Sequence, residues 1–442
     1  MKVLLTTPVA HARYDYIRHI LTPGIKLPIS SYFPSLALDS IKASLERDNE
    51  VTLLHPKRFR DIRKRLGGVD LVGITSTTGD YADALETAGR VKQVAPGTRV
   101  VMGGPHVSVQ DVETLEAGNA DVVVRGEGEG IMQRICSATP LEEIEGITYR
   151  RNGKILRNEP PRFPPDLVGL PFPKSMGSAR LLGVKREFGL VVSSRGCPHR
   201  CSFCMTSSLQ GHTWRARPVE NMVRELEQFS QVRYLFFVDD NFTLDPQRVE
   251  ALCEIIRERR FSFRWACMGR ADSIVRHQNL LEKMFEAGLI ALFIGVESAN
   301  PASLKEARKQ QTRTTVQKAF EIIRAYPIIS VASIMFGFDS DTLETMDENI
   351  EFMIDLNPTA VQATVLTPFP GTEVYAQYAA EGRILTKDWS RYDLLQCVFH
   401  PRNCSPKQLE NKVSECRRRF YGSSRKRRQR ARGFRLMLSG RL

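Results

Sequence analysis

The chain has 442 residues and a formal net charge of +13, from 63 Lys and Arg against 50 Asp and Glu. With 42% hydrophobic and 26% charged residues it has a globular composition, which excludes a mostly disordered or fibrous chain. No apolar run approaches the ~20 residues that span a bilayer, and Met1-Lys2-Val3-Leu4-Leu5-Thr6-Thr7-Pro8 is too short a stretch for a signal peptide. A soluble, cytoplasmic protein of about two to three domains is therefore expected. The nine cysteines are odd in number and unevenly spread, which does not suggest a disulfide framework.

Short apolar runs at Lys2–Thr6, Glu50–Leu54, Leu71–Thr75, Thr98–Met102 and Asp121–Val124 predict buried strands. Each is followed by a turn and an amphipathic stretch; in Asp80–Val94, Ala84, Leu85, Ala88 and Val91 share one face. This alternation predicts an α/β fold, an open doubly wound parallel sheet whose ligands lie beyond the carboxyl ends of the strands. The turns there are rich in Gly, Ser and Thr: Gly73–Gly79, Gly103–His106 and Gly126–Glu129. Glycines let a ligand approach the backbone, and they also serve ordinary tight turns; three such loops together favour a ligand. A hairpin follows around Asn152-Gly153. Six prolines between Pro160 and Pro173 then read as an extended spacer.

From about residue 186 the alternation resumes, with strands expected at Gly189–Ser193, Tyr234–Val238, Arg264–Met268, Ala291–Gly295, Ser330–Met335 and Ala360–Leu366. Helical stretches such as Val219–Phe229 and Pro246–Arg259 separate them. Six strand–helix units predict a partial (β/α)6 barrel with its chemistry at the strand C-terminal ends. The expected divisions are 1–145, a hairpin and Pro-rich linker at 146–185, the barrel at 186–375, and a C-terminal region at 376–442.

The strongest chemical signal is Arg195-Gly196-Cys197-Pro198-His199-Arg200-Cys201-Ser202-Phe203-Cys204. Cys197, Cys201 and Cys204 form a C-x3-C-x2-C pattern just after a predicted strand, with Gly and Pro to bend the loop. Three thiolates suit a metal. Structural zinc wants four protein ligands, and only His199 and His212 are near in sequence. An iron–sulfur cluster on three cysteines leaves one iron open to an outside ligand.

C-x3-C-x2-C with the aromatic Phe203 before the last Cys, after the first barrel strand, resembles the radical S-adenosylmethionine (SAM) superfamily. The resemblance implies a [4Fe–4S] cluster on Cys197, Cys201 and Cys204, with SAM on the unique iron. Its reduction would cleave SAM to methionine and a 5′-deoxyadenosyl radical. Asp239, Asp240 and Asn241 close the second strand, as in the family's motif that contacts the SAM amino group. Glu297 and Ser298 close the fourth, where the family holds the ribose and methionine part. Gly337 closes the fifth, where the backbone passes the adenine. Asp240, Ser298 and Asp339 could also be helix caps. Arg270, after the third strand, could reach the SAM carboxylate or make a surface ion pair. Asp239, Asp240 and Glu297 are the nearest acid or base candidates for catalysis.

The first domain, hairpin and linker resemble the cobalamin-binding subgroup of that superfamily, over roughly residues 1–375. There a corrinoid lies between the sheet's strand ends and the barrel mouth. Thr75, Ser76 and Thr77, with Gly103, Gly104 and His106, would line its nucleotide tail. Many cobalamin modules bring a histidine to cobalt from an Asp-x-His-x-x-Gly loop. Here the loop reads Thr7-Pro8-Val9-Ala10-His11-Ala12-Arg13, without the Asp or Gly, so His11 is not assigned to cobalt. The resemblance implies a small-molecule, natural-product-like substrate, an electron donor such as flavodoxin or ferredoxin, and cobalamin-dependent C-methylation. The alternative is cobalamin-independent deoxygenation, dehydration, oxidation or cyclisation.

Cys397, Cys404 and Cys416 could hold an auxiliary cluster or be buried core residues, and Cys136, Cys253 and Cys267 read as core. Trp389 and Tyr392 could wall the substrate pocket or dock on the barrel. Arg417–Leu442 holds eleven Lys and Arg and no Asp or Glu, which leaves residues 1–416 at a net +2. The run Arg425–Arg432 could bind nucleic acid, an anionic surface or a partner protein, or be a solvated end. The catalytic body itself is close to neutral.

Overall fold

A computed structural model describes residues 1–9, 29–181 and 184–422. His11 and the run Arg425–Arg432 lie outside the described residues.

Seven strands between Lys2 and Arg157 build the first sheet. Its strands run in the spatial order Glu50–Leu54, Lys2–Thr6, Leu71–Thr75, Arg99–Gly103, Val122–Val124, Ile147–Arg151 and Lys154–Arg157. The first five pair in parallel and the last two are antiparallel. The hairpin therefore continues this sheet. Alternation along each strand sorts the side chains onto two faces. Leu4, Val72, Ile74, Val100, Met102 and Val123 pack on one, and Val3, Leu5, Leu71, Val101, Val122 and Val124 on the other. Two covered faces explain why these strands read as continuous apolar runs. The order reverses between Lys2–Thr6 and Leu71–Thr75, and in open sheets of this kind the ligand crevice opens at that switch point. Thr75, Ser76 and Thr77 lie at that end of the sheet.

The second sheet has eight strands. Val184–Val191, Tyr234–Phe237, Arg264–Gly269, Leu289–Glu297, Ile329–Phe336 and Ala360–Val365 follow one another in parallel, the six (β/α) units of a partial barrel. Ser175–Leu181 pairs antiparallel with the first of them, and Ile29–Tyr32 pairs antiparallel with Ser175–Leu181. Neither edge strand is expected from the sequence, because ISSY and SMGSARL carry too few apolar residues for a period-2 pattern. Chain from the first domain thus completes the second sheet.

Burial alternates strictly along Arg264–Gly269, where Trp265, Cys267 and Gly269 are buried and their neighbours are not. Trp265, Cys267, Leu292, Ile294, Ile334 and Phe336 pack in the large core under the helices. The alternate residues Phe236, Met268, Phe293 and Met335 are only half-buried, so the inner wall of the barrel is apolar and partly open. Phe236 and Phe293 meet there at 5.7 Å between ring centroids.

The C-terminal region closes both units. The helix Pro406–Gly422 packs Leu409, Val413, Cys416 and Phe420 into the barrel core. Trp389, Tyr392 and Val398 pack instead with the first sheet's helices. Among the described residues no helix is long and apolar enough to cross a membrane.

Candidate functional site

The cysteine loop leaves the barrel through a small antiparallel ribbon, Ser194–Gly196 against Trp214–Ala216. Gly196 sits at φ +84°, and a Cβ there would overlap the Thr213 carbonyl, so only glycine fits this turn. Beyond it the loop is pinned from three sides. The Ser202 amide donates to the Ala307 carbonyl at 3.1 Å and its hydroxyl to the Glu306 carbonyl at 3.0 Å. The Val374 amide donates to the Ser202 carbonyl at 3.2 Å, and the Cys204 amide to that of Cys201 at 3.1 Å. Cys197, Cys201 and Cys204 are all free and partly buried. Burial pushes the Cys197 and Cys201 thiols up, while Arg270 and Lys309 respectively pull them down. Ligated iron would stabilise thiolates held here. Three cysteines on one loop would suit an iron–sulfur cluster with one iron left open to an outside ligand.

The second strand end brings two adjacent carboxylates to different uses. Asp239 is buried and saturated. It accepts from the Ser193 amide at 2.7 Å, from the Ser193 hydroxyl, and from the Ser194 hydroxyl at 2.6 Å. Burial raises its pKa. It braces the first strand end against the second. Asp240 accepts from the Gly196 amide at 3.1 Å and keeps an accessible carboxylate. The protein around it raises its pKa, opposed by the bonds from Gly196 and Thr206. Asn241 is buried, and its Nδ2 has no hydrogen-bond partner among the described residues. An orphaned donor beside an accessible carboxylate suits a zwitterionic ligand.

Arg270 is buried and donates through Nε to Asp272 at 2.9 Å and through Nη2 to the Gln310 carbonyl at 3.3 Å. Glu297 lies at a bulge in the fourth strand, with φ +63°, a region few non-glycine residues occupy. Lys309, which sequence reasoning missed, pairs with its Oε1 at 2.9 Å, and both side chains are nearly buried. A Cβ on Gly295 would collide with this pair. Ser298 is fully buried; its hydroxyl donates to Asn349 Oδ1 at 3.3 Å and accepts from the Asn300 amide at 3.0 Å. Gly337, at φ +109°, donates its amide to Asp341 at 2.9 Å, and a Cβ would press on Leu409 of the C-terminal helix. Phe203 meets Phe338 edge-on at 6.3 Å. Asp339 pairs with Arg383 at 2.6 Å and Arg402 at 2.8 Å.

At the first sheet's strand ends, Thr75 is half-buried and Thr77 exposed. Ser76 is buried, and its amide donates to the Gly103 carbonyl at 2.8 Å. Gly104, at φ +108°, lies so close to the Ser76 backbone that a Cβ would overlap it. Thr75, Thr77, Gly103 and Gly104 are small and none is fully buried, which suits a ligand that must approach the backbone at the strand ends. His106 is fully buried: Nδ1 lies 3.2 Å from the Thr78 hydroxyl, and the ring is 4.2 Å from Tyr81 and 4.9 Å from Trp389. Its Nε2 is without a hydrogen-bond partner among the described residues. Burial pushes its pKa down to about 4. Trp389 and Tyr392 thus dock on the first domain, and they also meet Tyr375 and Phe369 at the close of the barrel, at 6.4 and 6.3 Å between ring centroids respectively. Cys397 and Cys416 are core residues, with thiols pushed up by burial to about 11 and about 12, and Cys136, Cys253 and Cys267 are buried as expected.

Comparison with known proteins bears on both units. A family model of the radical SAM superfamily matches residues 191–353, and one of the B12 binding domain matches residues 24–135. The chain is 29% identical over 440 residues to an uncharacterized methyltransferase of Pyrococcus horikoshii, PH0819, covering 95% of this chain and 92% of that one. It is 26% identical over 371 residues to an anaerobic magnesium-protoporphyrin IX monomethyl ester cyclase of Rubrivivax gelatinosus, covering 80% and 66%. Its fold matches the radical SAM methyltransferase TsrM of Kitasatospora setae, solved with cobalamin and a [4Fe–4S] cluster bound. That match has a TM-score of 0.67 at 20% identity, over 86% of this chain and 78% of the other.

Proposed function

Because the chain belongs to the radical SAM superfamily, with a B12-binding domain ahead of the barrel, we propose that it methylates a poorly activated carbon of a small, natural-product-like molecule. The observation that carries this reading is the placement of the C-x3-C-x2-C loop at a barrel mouth that is ion-paired to the strand-end loops of the B12-binding domain. When bound, the cofactors supply a 5′-deoxyadenosyl radical from SAM and a methyl group carried on a corrinoid.

The chain's own residues do the rest. Cys197, Cys201 and Cys204 would hold the [4Fe–4S] cluster, with Gly196 setting the turn that presents them. Asp240 and Asn241 would take the amino end of SAM, and Lys309 with Glu297 would order its neighbourhood. Asp239 acts through Ser193 and Ser194, as a positioning residue. The small-residue edge of Thr75, Thr77, Gly103 and Gly104 would admit the corrinoid tail. Phe236, Met268, Phe293 and Met335 would exclude water from a radical and favour an apolar part of the substrate. The nine free cysteines suit a reducing cytoplasm, where a flavodoxin or ferredoxin would supply the electron.

The likeness to the cyclase favours one second reading, a radical oxidation or cyclisation. Anaerobic turnover separates the two. Methylation yields 5′-deoxyadenosine together with S-adenosylhomocysteine and a product in which one methyl replaces a hydrogen. The second reading yields 5′-deoxyadenosine alone.

A further inference from the structure

Arg195 and Arg215 stand directly opposite each other on the ribbon that feeds the cysteine loop. Like charges across a ribbon repel, and here both guanidinium groups are largely withdrawn from solvent. The charge that reconciles them comes from the other domain. Glu127 pairs with Arg215 at 2.6 Å and with Arg195 at 3.3 Å. Glu129 pairs with Arg195 at 2.6 Å and accepts from the Ser40 hydroxyl at 2.6 Å. Burial opposes the Glu129 charge, yet Arg195 overcomes it and holds the carboxyl below its usual range. Gln210 and the Pro164 carbonyl complete the shell of Arg215 at 2.5 and 3.3 Å. Two Arg and two Glu thus form a neutral, mostly buried network across the domain boundary, two residues from Cys197. Exposed ion pairs contribute little, but breaking a buried one leaves an uncompensated charge.

We propose that Glu127 and Glu129 are positioning residues that lock the cluster-bearing loop to the B12-binding domain and so set methyl transfer between the two cofactors. The inference rests on the methyltransferase reading above. With both cofactors bound, the transfer concerned would break the methyl–sulfur bond of SAM and form a methyl–cobalt bond, the electron pair coming from cobalt(I) and S-adenosylhomocysteine leaving.

The test uses the anaerobically reconstituted full chain and its Glu127→Gln/Glu129→Gln variant, with SAM and hydroxocobalamin reduced by titanium(III) citrate. Corrinoid-dependent S-adenosylhomocysteine should fall about 10- to 100-fold, since misplacement on the ångström scale costs this much. Formation of 5′-deoxyadenosine without corrinoid should stay within about twofold, and Glu129→Asp, which keeps the charge, should be intermediate. In the cofactor-free chain, hydrogen exchange should speed up at residues 126–129 and 194–204 and not elsewhere. Unchanged S-adenosylhomocysteine, or an equal fall of both products, overturns the proposal. If the wild type releases no corrinoid-dependent S-adenosylhomocysteine, the methyltransferase reading fails instead. Exchange then decides the lock alone: acceleration confined to the two loops supports it, and unchanged exchange refutes it.

Discussion

The barrel mouth and the N-terminal strand ends both carry Gly, Ser and Thr beside charged groups, but they distribute them differently. At the barrel mouth nearly every charge has a partner: Asp239 with Ser193 and Ser194, Glu297 with Lys309, Arg270 with Asp272. Asp240 alone of these groups keeps an accessible carboxylate. At the N-terminal strand ends Glu127 and Glu129 are taken up by Arg215 and Arg195, Thr75, Thr77, Gly103 and Gly104 are small and not fully buried, and His106 is buried beneath Trp389. The first arrangement suits the compact, charged ligand proposed for it, and the second suits a long one that needs backbone access.

The contrast fails first if the cysteines are not its centre. Replacing Cys197, Cys201 and Cys204 together by Ala should abolish the cluster's visible absorbance and lower SAM cleavage by at least about 10³-fold, or about 4 kcal/mol. It should leave cobalamin retention intact, because the two regions are distinct. Trp389→Ala removes a buried indole from the first domain's core. It should cost about 3–5 kcal/mol, read by urea unfolding, with loss of the docking of Thr386–Tyr392 while cluster absorbance is kept.

His106 adds a pH test with a definite sign. Its folded pKa, about 4, lies below the unfolded value of 6.5. Between these values the unfolded chain binds the extra proton, so this group's contribution to stability falls as pH drops from 6.5 towards 4. Relative to His106→Gln, wild-type stability should lose about 2 kcal/mol between pH 7.5 and pH 5. Urea unfolding at the two pH values checks it, and the difference between the proteins cancels the opposite trend of Glu225, whose buried carboxyl is raised to about 7. The two glycines test the turns themselves. Gly196→Ala and Gly104→Ala each force a side chain into a left-handed turn against backbone, at about 1–3 kcal/mol. Gly196→Ala should impair cluster loading, and Gly104→Ala should impair cobalamin retention.

Much of this was legible in the residues. Strand alternation marks both parallel sheets because covered strands are apolar throughout, and C-x3-C-x2-C marks the loop by spacing alone. The edge strands Ile29–Tyr32 and Ser175–Leu181 escaped because pairing in the backbone leaves no apolar signature in a Ser-rich segment. Lys309 and Arg195 escaped for another reason. A lysine or arginine reads as surface charge until its carboxylate partner is placed beside it, and Glu127 and Glu129 lie 66 residues or more before Arg195. Trp389 carried a signal, a large aromatic in a polar stretch, but nothing local pointed to the first sheet as its partner.

The central claim is that both cofactors serve one reaction. Protein reconstituted anaerobically with iron and sulfide, loaded with hydroxocobalamin and desalted, tests it most directly when reduced in the presence of SAM carrying a deuterated methyl group. The account predicts stoichiometric corrinoid on the protein, deuterated methyl on that corrinoid, and matching S-adenosylhomocysteine. Corrinoid lost on desalting, with 5′-deoxyadenosine as the sole nucleoside product, would contradict it.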